Sequence, residues 1–424
     1  MKQAILEISP FILFVFLVNL VIGTGVFLNA VRLFDLLGAY SFLAYVFTGV
    51  LVFPILLVTY NLSFMHQGKN MVDIFHYYFG EQSNFFVALY SVAKLATAGV
   101  AIVFSANILH LFFDSFGCFI RTEIFFIFIL SICFLLSYFD YSISPYVQFL
   151  IIFFKMIPIV LTIFLLFYFL IKDFFLANTV FFFPSSRIFF SADTLSSLSE
   201  AIAITIFSFA GFEALFSMGH YRLRSKNVLS FSVLLVFGFF AAWILYVLYQ
   251  FGMGYLAKSA PVYGVFDFLL DCFKENKGFN YFLRFMNLCV FASSFGVTHG
   301  ISYASSNNLF SALKEFNFSK RSIQVSVFLL LFFYGVIFFN KIFLLQQLSS
   351  LGTILTYFIF VYCYFKENVN FLALLGFLSC ILLLGMHLYT AIFYLGFFGY
   401  FLYFFFAFSL FFFFKKNYFC FFGD

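Results

Sequence analysis

The chain has 424 residues, of which 65% are hydrophobic and 9% are charged, and its formal net charge is +5. Soluble domains carry about 25% charged residues, so the composition excludes an ordinary soluble protein and predicts a polytopic membrane protein. The sequence contains no basic run typical of nucleic-acid binding and no phosphate-binding loop. Its His, Cys, Asp and Glu residues form no cluster with metal-ligand spacing. We therefore expect no nucleic-acid partner, no cofactor and no metal site.

Apolar runs long enough to cross a bilayer as helices, about 20 residues each, follow one another along the whole chain. We number them as spans 1 to 12: Pro10–Val31, Gly38–Tyr60, Asn84–Phe113, Thr122–Phe139, Tyr146–Ile171, Leu198–Met218, Leu229–Tyr255, Tyr281–Leu313, Ser322–Phe339, Leu345–Phe365, Phe371–Thr390 and Ala391–Phe414. The predicted fold class is therefore an all-α polytopic membrane protein with about twelve transmembrane helices.

Two of these spans are interrupted by glycine. The interruption in span 1 is Ile22, Gly23, Thr24, Gly25 and Val26, and the one in span 6 is Phe207, Ser208, Phe209, Ala210 and Gly211. An unwound segment in lipid leaves backbone N–H and C=O groups unpaired, at several kcal/mol each. Such breaks persist where they line a polar cavity, which in transporters is the substrate site between two repeats. The glycines are also compatible with simple close packing of helices.

The two broken spans hold equivalent positions, because four more spans follow each of them. Five spans are an odd number, so the second set crosses the membrane in the opposite sense. This order predicts a 5+5 inverted repeat with discontinuous spans 1 and 6. The predicted units are residues 1–172, residues 173–365, and an accessory pair of spans in residues 366–424.

The basic residues predict the orientation of the chain. Clusters at Arg222–Lys226 and Lys314–Arg321 favour cytoplasmic N- and C-termini by the positive-inside rule. The expected location is the plasma (inner) membrane. In this topology Cys118 and Cys272 lie in outer loops, and the sequence leaves open a disulfide between them or two free thiols.

Together these motifs resemble the amino acid–polyamine–organocation (APC) permeases, which share the leucine-transporter fold. Gly23-Thr24-Gly25-Val26-Phe27 is similar to the break in the first helix of that family, and Phe209-Ala210-Gly211-Phe212-Glu213 is similar to its F-x-G-F-E motif in the sixth helix. Gln148, Lys155 and Pro158 match a pattern of its fifth helix. The proline that commonly follows the first break is absent here, and the loops after spans 6 and 8 also depart from the family.

The resemblance implies a secondary active transporter of amino acids or related amines, working by alternating access with proton symport or substrate exchange. Backbone N–H groups around Gly23–Gly25 suit the substrate's carboxylate, and carbonyls near Ile22 and Ser208 suit its ammonium. A related-fold carrier of a nucleobase or osmolyte, and a non-transporting membrane sensor, remain as alternatives. No loop offers the acidic pair that an enzyme acting on lipid-linked substrates needs, so we expect no enzymatic activity.

Three ionisable residues lie deep in the predicted spans. A charge at the depth of Lys155 in span 5 costs at least about 2.5–3.5 kcal/mol. In sodium-independent APC members a lysine here takes the place of a bound sodium ion, which implies a coupling role for Lys155, with a structural role in a vestibule as the alternative. Lys94 in span 3 would face either the side-chain end of the substrate pocket or an inner vestibule. Glu213 would support the second break at a helix N-terminus or relay protons.

Overall fold

A computed structural model of the chain describes residues 7–8, 18, 21–66, 69, 71–139, 144–177, 192–211, 222–223, 231–257, 266, 279–313 and 318–394. Within these residues the α-helices are α1 Gly25–Leu37, α2 Phe42–Met65, α3 Met71–Phe79, α4 Ser83–Asp114, α5 Thr122–Phe139, α6 Ser144–Ala177, α7 Ala192–Phe209, α8 Phe231–Ala257, α9 Phe279–Ala312, α10 Lys320–Phe338, α11 Ile342–Glu367 and α12 Phe371–Tyr394. The 3₁₀ turns Gly38–Tyr40 and Gly80–Gln82 precede α2 and α4.

The predicted all-α membrane fold is confirmed by these helices. Seven of the described helices contain a stretch that is long and apolar enough to cross a membrane: α2, α4, α6, α8, α10, α11 and α12. Helix α9 is as long as α6, but it is less apolar because it carries a series of buried serines that includes Ser293, Ser294 and Ser302. A transmembrane helix keeps such side chains when they face protein and not lipid.

Several predicted boundaries are wrong, and two of them have a clear physical reason. Helix α2 begins at Phe42 and not at Gly38, because Gly38 has a φ of 55°, in the left-handed region that ends helix α1. Helix α12 continues to Tyr394 through the predicted boundary between spans 11 and 12, since neither glycine nor proline is present there to stop it. The remainder of span 12 lies outside the described residues.

Helix α4 lies at the centre of the described bundle. It packs most extensively along α9 and α11, and 94% of its most apolar stretch is buried inside the protein, against 33% in α6. Phe153 and Phe164 on α6 are strongly exposed, as expected for a helix that faces lipid along one side. A polar group between Val87 and Ala106 of α4 is therefore surrounded by protein, whatever its direction.

Two short strands pair the segment before span 1 with the segment after span 6. Strand β1 (Glu7–Ile8) pairs in parallel with β2 (Arg222–Leu223), with Glu7 opposite Arg222. The segment before span 1 and the segment after span 6 therefore lie on the same side, as the predicted topology requires. Of the two loop cysteines, Cys118 is exposed, and Cys272 lies outside the described residues.

Candidate functional site

The first break is a three-residue interruption of helical structure. The N–H of Ile22 donates to the carbonyl of Val18 at 2.8 Å, which is the last helical bond before the break. Ile22, Gly23 and Thr24 are not helical, and α1 begins at Gly25. Thr24 stands at the N-cap of α1, but its side chain makes no capping hydrogen bond. The predicted interruption of span 1 is thus confirmed. It covers residues 22–24, one residue earlier than the predicted centre at residues 23–25.

The second break begins where α7 ends, at Phe209. The prediction that Phe207, Ser208 and Phe209 belong to the interruption is therefore wrong, because they form the last turn of α7. Ala210 and Gly211 form a turn, and the N–H of Ala210 donates to the carbonyl of Phe207 at 3.2 Å. Glu213 and the predicted second half of span 6 lie outside the described residues, so their roles stay predictions.

The two breaks lie directly against each other. A Cβ atom added to Gly25 would lie 2.8 Å from the Cα of Ser208 and 3.0 Å from the ring of Phe207, so glycine is required there by the contact between α1 and α7. Asn29 strengthens this contact by donating to the carbonyl of Ile204 at 3.1 Å and to the Ser208 hydroxyl at 3.0 Å. Close packing of two helices, the alternative explanation for the glycines, therefore accounts for Gly25.

Gly23 has different surroundings from Gly25. An added Cβ at Gly23 would have no heavy atom nearer than 3.8 Å, the closest being the carbonyl oxygen of Val21. Gly23 is also partly exposed, whereas Ile22 and Thr24 on either side of it are buried. Open space at the first break therefore lies beside Gly23.

Protein side chains bind the backbone carbonyls that the breaks release. The Tyr246 hydroxyl donates to the carbonyl of Val21 and, at 2.9 Å, to that of Ser208, so its one proton is shared between the two broken spans. The Tyr357 hydroxyl donates to the carbonyl of Phe209 at 3.0 Å. These bonds supply the partners that helix ends inside a membrane protein require.

The structure places Lys155 at the first break. Its side chain is fully buried, and its Nζ atom donates to the carbonyl oxygen of Ile22 at 2.5 Å. The bond links α6 to the end of the interrupted span. Gln148 lies on the same helix, in a part of it where side chains are not described.

Lys94 is separate from that contact. It is 1% exposed, and its Nζ atom lies 5.5 Å from the centroid of the Tyr90 ring. One turn further along α4, the Thr97 hydroxyl lies 2.5 Å from the Ser349 hydroxyl of α11. Lys94 thus lies within the interface of α4 with its protein neighbours.

Several buried hydroxyl groups near the breaks make no hydrogen bond. They belong to Thr24 at the first break, Ser293 and Ser294 on α9, and Ser350 and Thr353 on α11. Val297, one turn after Ser293, is the α9 residue that approaches Gly23. Because buried hydroxyls normally have partners, this group is a candidate for the polar lining of a ligand site.

A groove of about 700 Å³ lies elsewhere, between α3, the start of α4 and the end of α11. Lys366 occupies its polar part by donating to the carbonyl of Tyr78 at 3.2 Å and by facing the rings of Phe79 and Tyr362. The lysine is thereby bound at the C-terminal ends of two helices, where a positive charge is favoured. We assign the groove a structural role.

Sequence reasoning missed four residues of this site: Asn29, Tyr246, Gln346 and Tyr357. Gln346 donates to the side-chain oxygen of Asn29 at 2.7 Å, and the two tyrosines bind break carbonyls as described. A weak signal was present, since an amide or hydroxyl inside an apolar run must find a partner.

The comparison with protein families decides the class of the molecule. The model of the amino acid permease family matches residues 8–421, nearly the whole chain. The chain belongs to the amino acid permease family. The permease is therefore an integral membrane transport protein, as the resemblance predicted. A search of curated proteins by sequence finds no significant match.

Solved structures share the fold of this permease at low sequence identity. A manganese transporter from Eremococcus coleocola superimposes with a TM-score of 0.63 at 12% identity, covering 96% of this chain and 95% of that chain. The same transporter with an aromatic bis-isothiourea substituted compound gives 0.62 at 12% identity, with 96% of each chain covered. A nucleobase-cation-symport-1 family transporter with bromovinylhydantoin bound gives 0.58 at 10% identity, covering 93% of this chain and 95% of that chain. These similarities confirm the predicted leucine-transporter fold and carry no information on substrate.

Proposed function

We propose that this permease is a secondary active transporter of amino acids or related amines, coupled to protons or to substrate exchange and independent of sodium. The observation that carries the proposal is the contact between the Lys155 Nζ atom and the carbonyl oxygen of Ile22, at 2.5 Å. A lysine ammonium on a break carbonyl provides a positive charge where a coupling cation would otherwise bind.

The same contact suggests how a proton would act on the carrier. A protonated Lys155 attracts the Ile22 carbonyl as a charged donor, and a neutral amine attracts it less. Release of the proton would therefore weaken the contact. Loss of the proton would loosen α6 from the first break and favour a change between the inward-open and outward-open states.

The substrate would lie beside Gly23, between the two breaks. The N–H groups at the start of α1 have no side-chain cap, and they would bind a carboxylate at the positive end of the helix. Residues 1–172 and 173–365 would form the two repeats, and the helices that carry the breaks, with α2 and α8, would rock against the remainder. Residues 366–424 would be accessory.

Orientation in the membrane is tested by labelling. We expect both termini in the cytoplasm, so a single cysteine introduced beside Arg224 or at Lys320 should react only with reagent that reaches the cytoplasmic side of the plasma membrane. Reaction of either cysteine with an impermeant reagent on intact cells would refute this topology.

Uptake of radiolabelled amino acids into proteoliposomes tests the proposed function. We expect saturable uptake that unlabelled amino acid competes away. Uptake of a nucleobase or an osmolyte instead would favour the related-fold carrier. Binding without any uptake would favour the membrane sensor.

Within the described part of the chain, no group of three His, Cys, Asp or Glu side chains could hold a metal ion, so nothing there favours a metal substrate.

A further inference from the structure

The groove between α3, the start of α4 and the end of α11 lies at one surface of the bilayer. Helices α11 and α12 each contain an apolar stretch long enough to cross a membrane, and only residues 368–370 link them. The end of α11 at Glu367 must therefore reach the membrane surface. Helix α3 buries Ile74 and Phe75 and exposes Asp73, which is the pattern of a helix that lies along that surface.

The lining of the groove becomes less polar with depth. Phe358, Tyr362 and Lys366 follow one another at four-residue spacing, so they share one face of α11. Phe358 lies about 12 Å from Lys366 along the helix axis. On the side of α4, the exposed Gln82 precedes the helix and Phe86 lies one turn further along it. The open end of the groove is thus polar, and its inner part is apolar.

Lys366 is held at the open end by three contacts. Its Nζ atom donates to the carbonyl of Tyr78 at 3.2 Å. The same atom lies 5.5 Å from the centroid of the Phe79 ring and 5.3 Å from that of the Tyr362 ring. An ammonium has three N–H donors and the carbonyl takes one of them, so Lys366 can bind a phosphate oxygen without leaving this position.

The charge that the groove presents is that of Lys366. Among the described residues, Lys366 is the charged side chain that lines the groove. The neighbouring Glu367 interacts with the Tyr78 hydroxyl, which also bonds to the ring of His66 at 2.8 Å. An ammonium at the rim of an apolar groove complements a molecule that carries a phosphate on a hydrocarbon chain.

We propose that the structural role of this groove is to hold one phospholipid of the surrounding bilayer. An acyl chain would lie along Phe86, Phe358 and Ile359, and the phosphate would bind Lys366 and Gln82 at the open end. The volume of about 700 Å³ is in the usual range of ligand sites, and basic pockets between transmembrane helices are typical sites for lipid head groups. The lipid would join α3 and α4 to the end of α11, away from the breaks.

Thermal unfolding of the purified, delipidated permease in maltoside detergent tests the proposal. Three additives are compared: dioleoylphosphatidylglycerol, dioleoylglycerol, which has the same chains without phosphate, and glycerol phosphate, which has no chains. We expect the phospholipid to give a saturable rise in melting temperature, because it binds the folded state, and the other two to give little or none.

A pair of lysine variants tests the position of the phosphate. Lys366→Gln should raise the phospholipid concentration that gives half of the rise by about tenfold or more, because it removes a charged hydrogen bond. Lys341 is an exposed lysine at the opposite end of α11. Lys341→Gln is therefore the matched control and should respond like the wild type.

Each other outcome would overturn the proposal. An equal rise with dioleoylglycerol would refute the phosphate contact, and an equal rise with glycerol phosphate would assign the site to a soluble phosphate. Equal losses in Lys366→Gln and Lys341→Gln would refute the location, and no rise with any additive would refute the site. If Lys366→Gln does not fold, the three additives on the wild type still decide. No substrate is used, so the result is independent of the proposed function.

Discussion

The two buried lysines of this permease lie in contrasting surroundings. Lys155 belongs to α6, a helix whose most apolar stretch is only 33% buried, yet its ammonium is directed inward onto the carbonyl of Ile22 at 2.5 Å. Lys94 belongs to α4, which is 94% buried over the corresponding stretch, and it faces the Tyr90 ring beside a helix interface rich in hydroxyl groups. Lys155 is fixed by the backbone of a break, and Lys94 lies among side chains.

The contrast shows that the depth of a lysine within its span predicts its function only when the groups it contacts are also known. The coupling role that we propose for Lys155 depends on its bond to a break carbonyl. Lys94 lies within a helix interface, and its surroundings assign it no such role. The distinction is supported if substitutions at the breaks alter uptake or stability more than substitutions away from them. Equal effects in both places would contradict it.

The largest effect is expected at Gly25, which lies at the first break. Even Gly25→Ala would place a Cβ 2.8 Å from the Cα of Ser208, and overpacking of this kind costs about 1–3 kcal/mol. Gly25→Leu should therefore abolish uptake and also lower the yield and thermal stability of purified protein. The sequence alone predicts loss of uptake in a folded protein, so the stability measurement separates the two causes.

Gly23→Ala is the matched control, because its added Cβ has no neighbour within 3.8 Å. We expect normal thermal stability together with a raised KM, since the methyl group enters the open side of the break. Equal loss of stability in Gly23→Ala and Gly25→Ala would contradict the described difference between the two glycines.

Tyr246→Phe should have the next largest effect. It removes the donor shared by the carbonyls of Val21 and Ser208, and a buried group left without its partner costs about 1–3 kcal/mol. Tyr249→Phe is the control on the same helix, because the buried Tyr249 hydroxyl has no hydrogen-bond partner. Thermal unfolding should show a lower melting temperature for Tyr246→Phe and no loss for Tyr249→Phe; the reverse order would refute the assignment.

The smallest effect is expected at the Arg32–Glu200 ion pair, which lies outside both lysine regions. The two side chains are 22% and 12% exposed and 2.8 Å apart. Glu200→Gln removes the charge but keeps an oxygen that can accept from Arg32, so we expect a loss of only about 1 kcal/mol. Glu200→Gln should shift the melting temperature slightly and leave KM unchanged. A change in substrate affinity as large as that of Gly23→Ala would show that this pair belongs to the site.

The sequence predicted the first break to within about a residue because glycine inside an apolar run has a direct physical meaning. At the second break the helix continues two residues further than predicted, through Ser208 and Phe209. It also predicted that Lys155 is deep in its span. It could not predict the partners, since the bond from Tyr246 to Val21 joins residues 225 positions apart, and no local pattern selects one carbonyl among many. The interruption between spans 11 and 12 was placed wrongly for a related reason, because uniform apolar sequence contains no stop signal.

Sodium dependence of uptake in wild type and Lys155→Ala tests the central claim most directly. Proteoliposomes are assayed with and without a sodium gradient, over a range of pH, using an amino acid that the wild type transports. We predict that sodium leaves wild-type uptake unchanged, and that Lys155→Ala loses most uptake or its pH dependence, because the Ile22 carbonyl loses its charged partner. Uptake driven by sodium in the wild type, or normal transport by Lys155→Ala at every pH, would contradict the account.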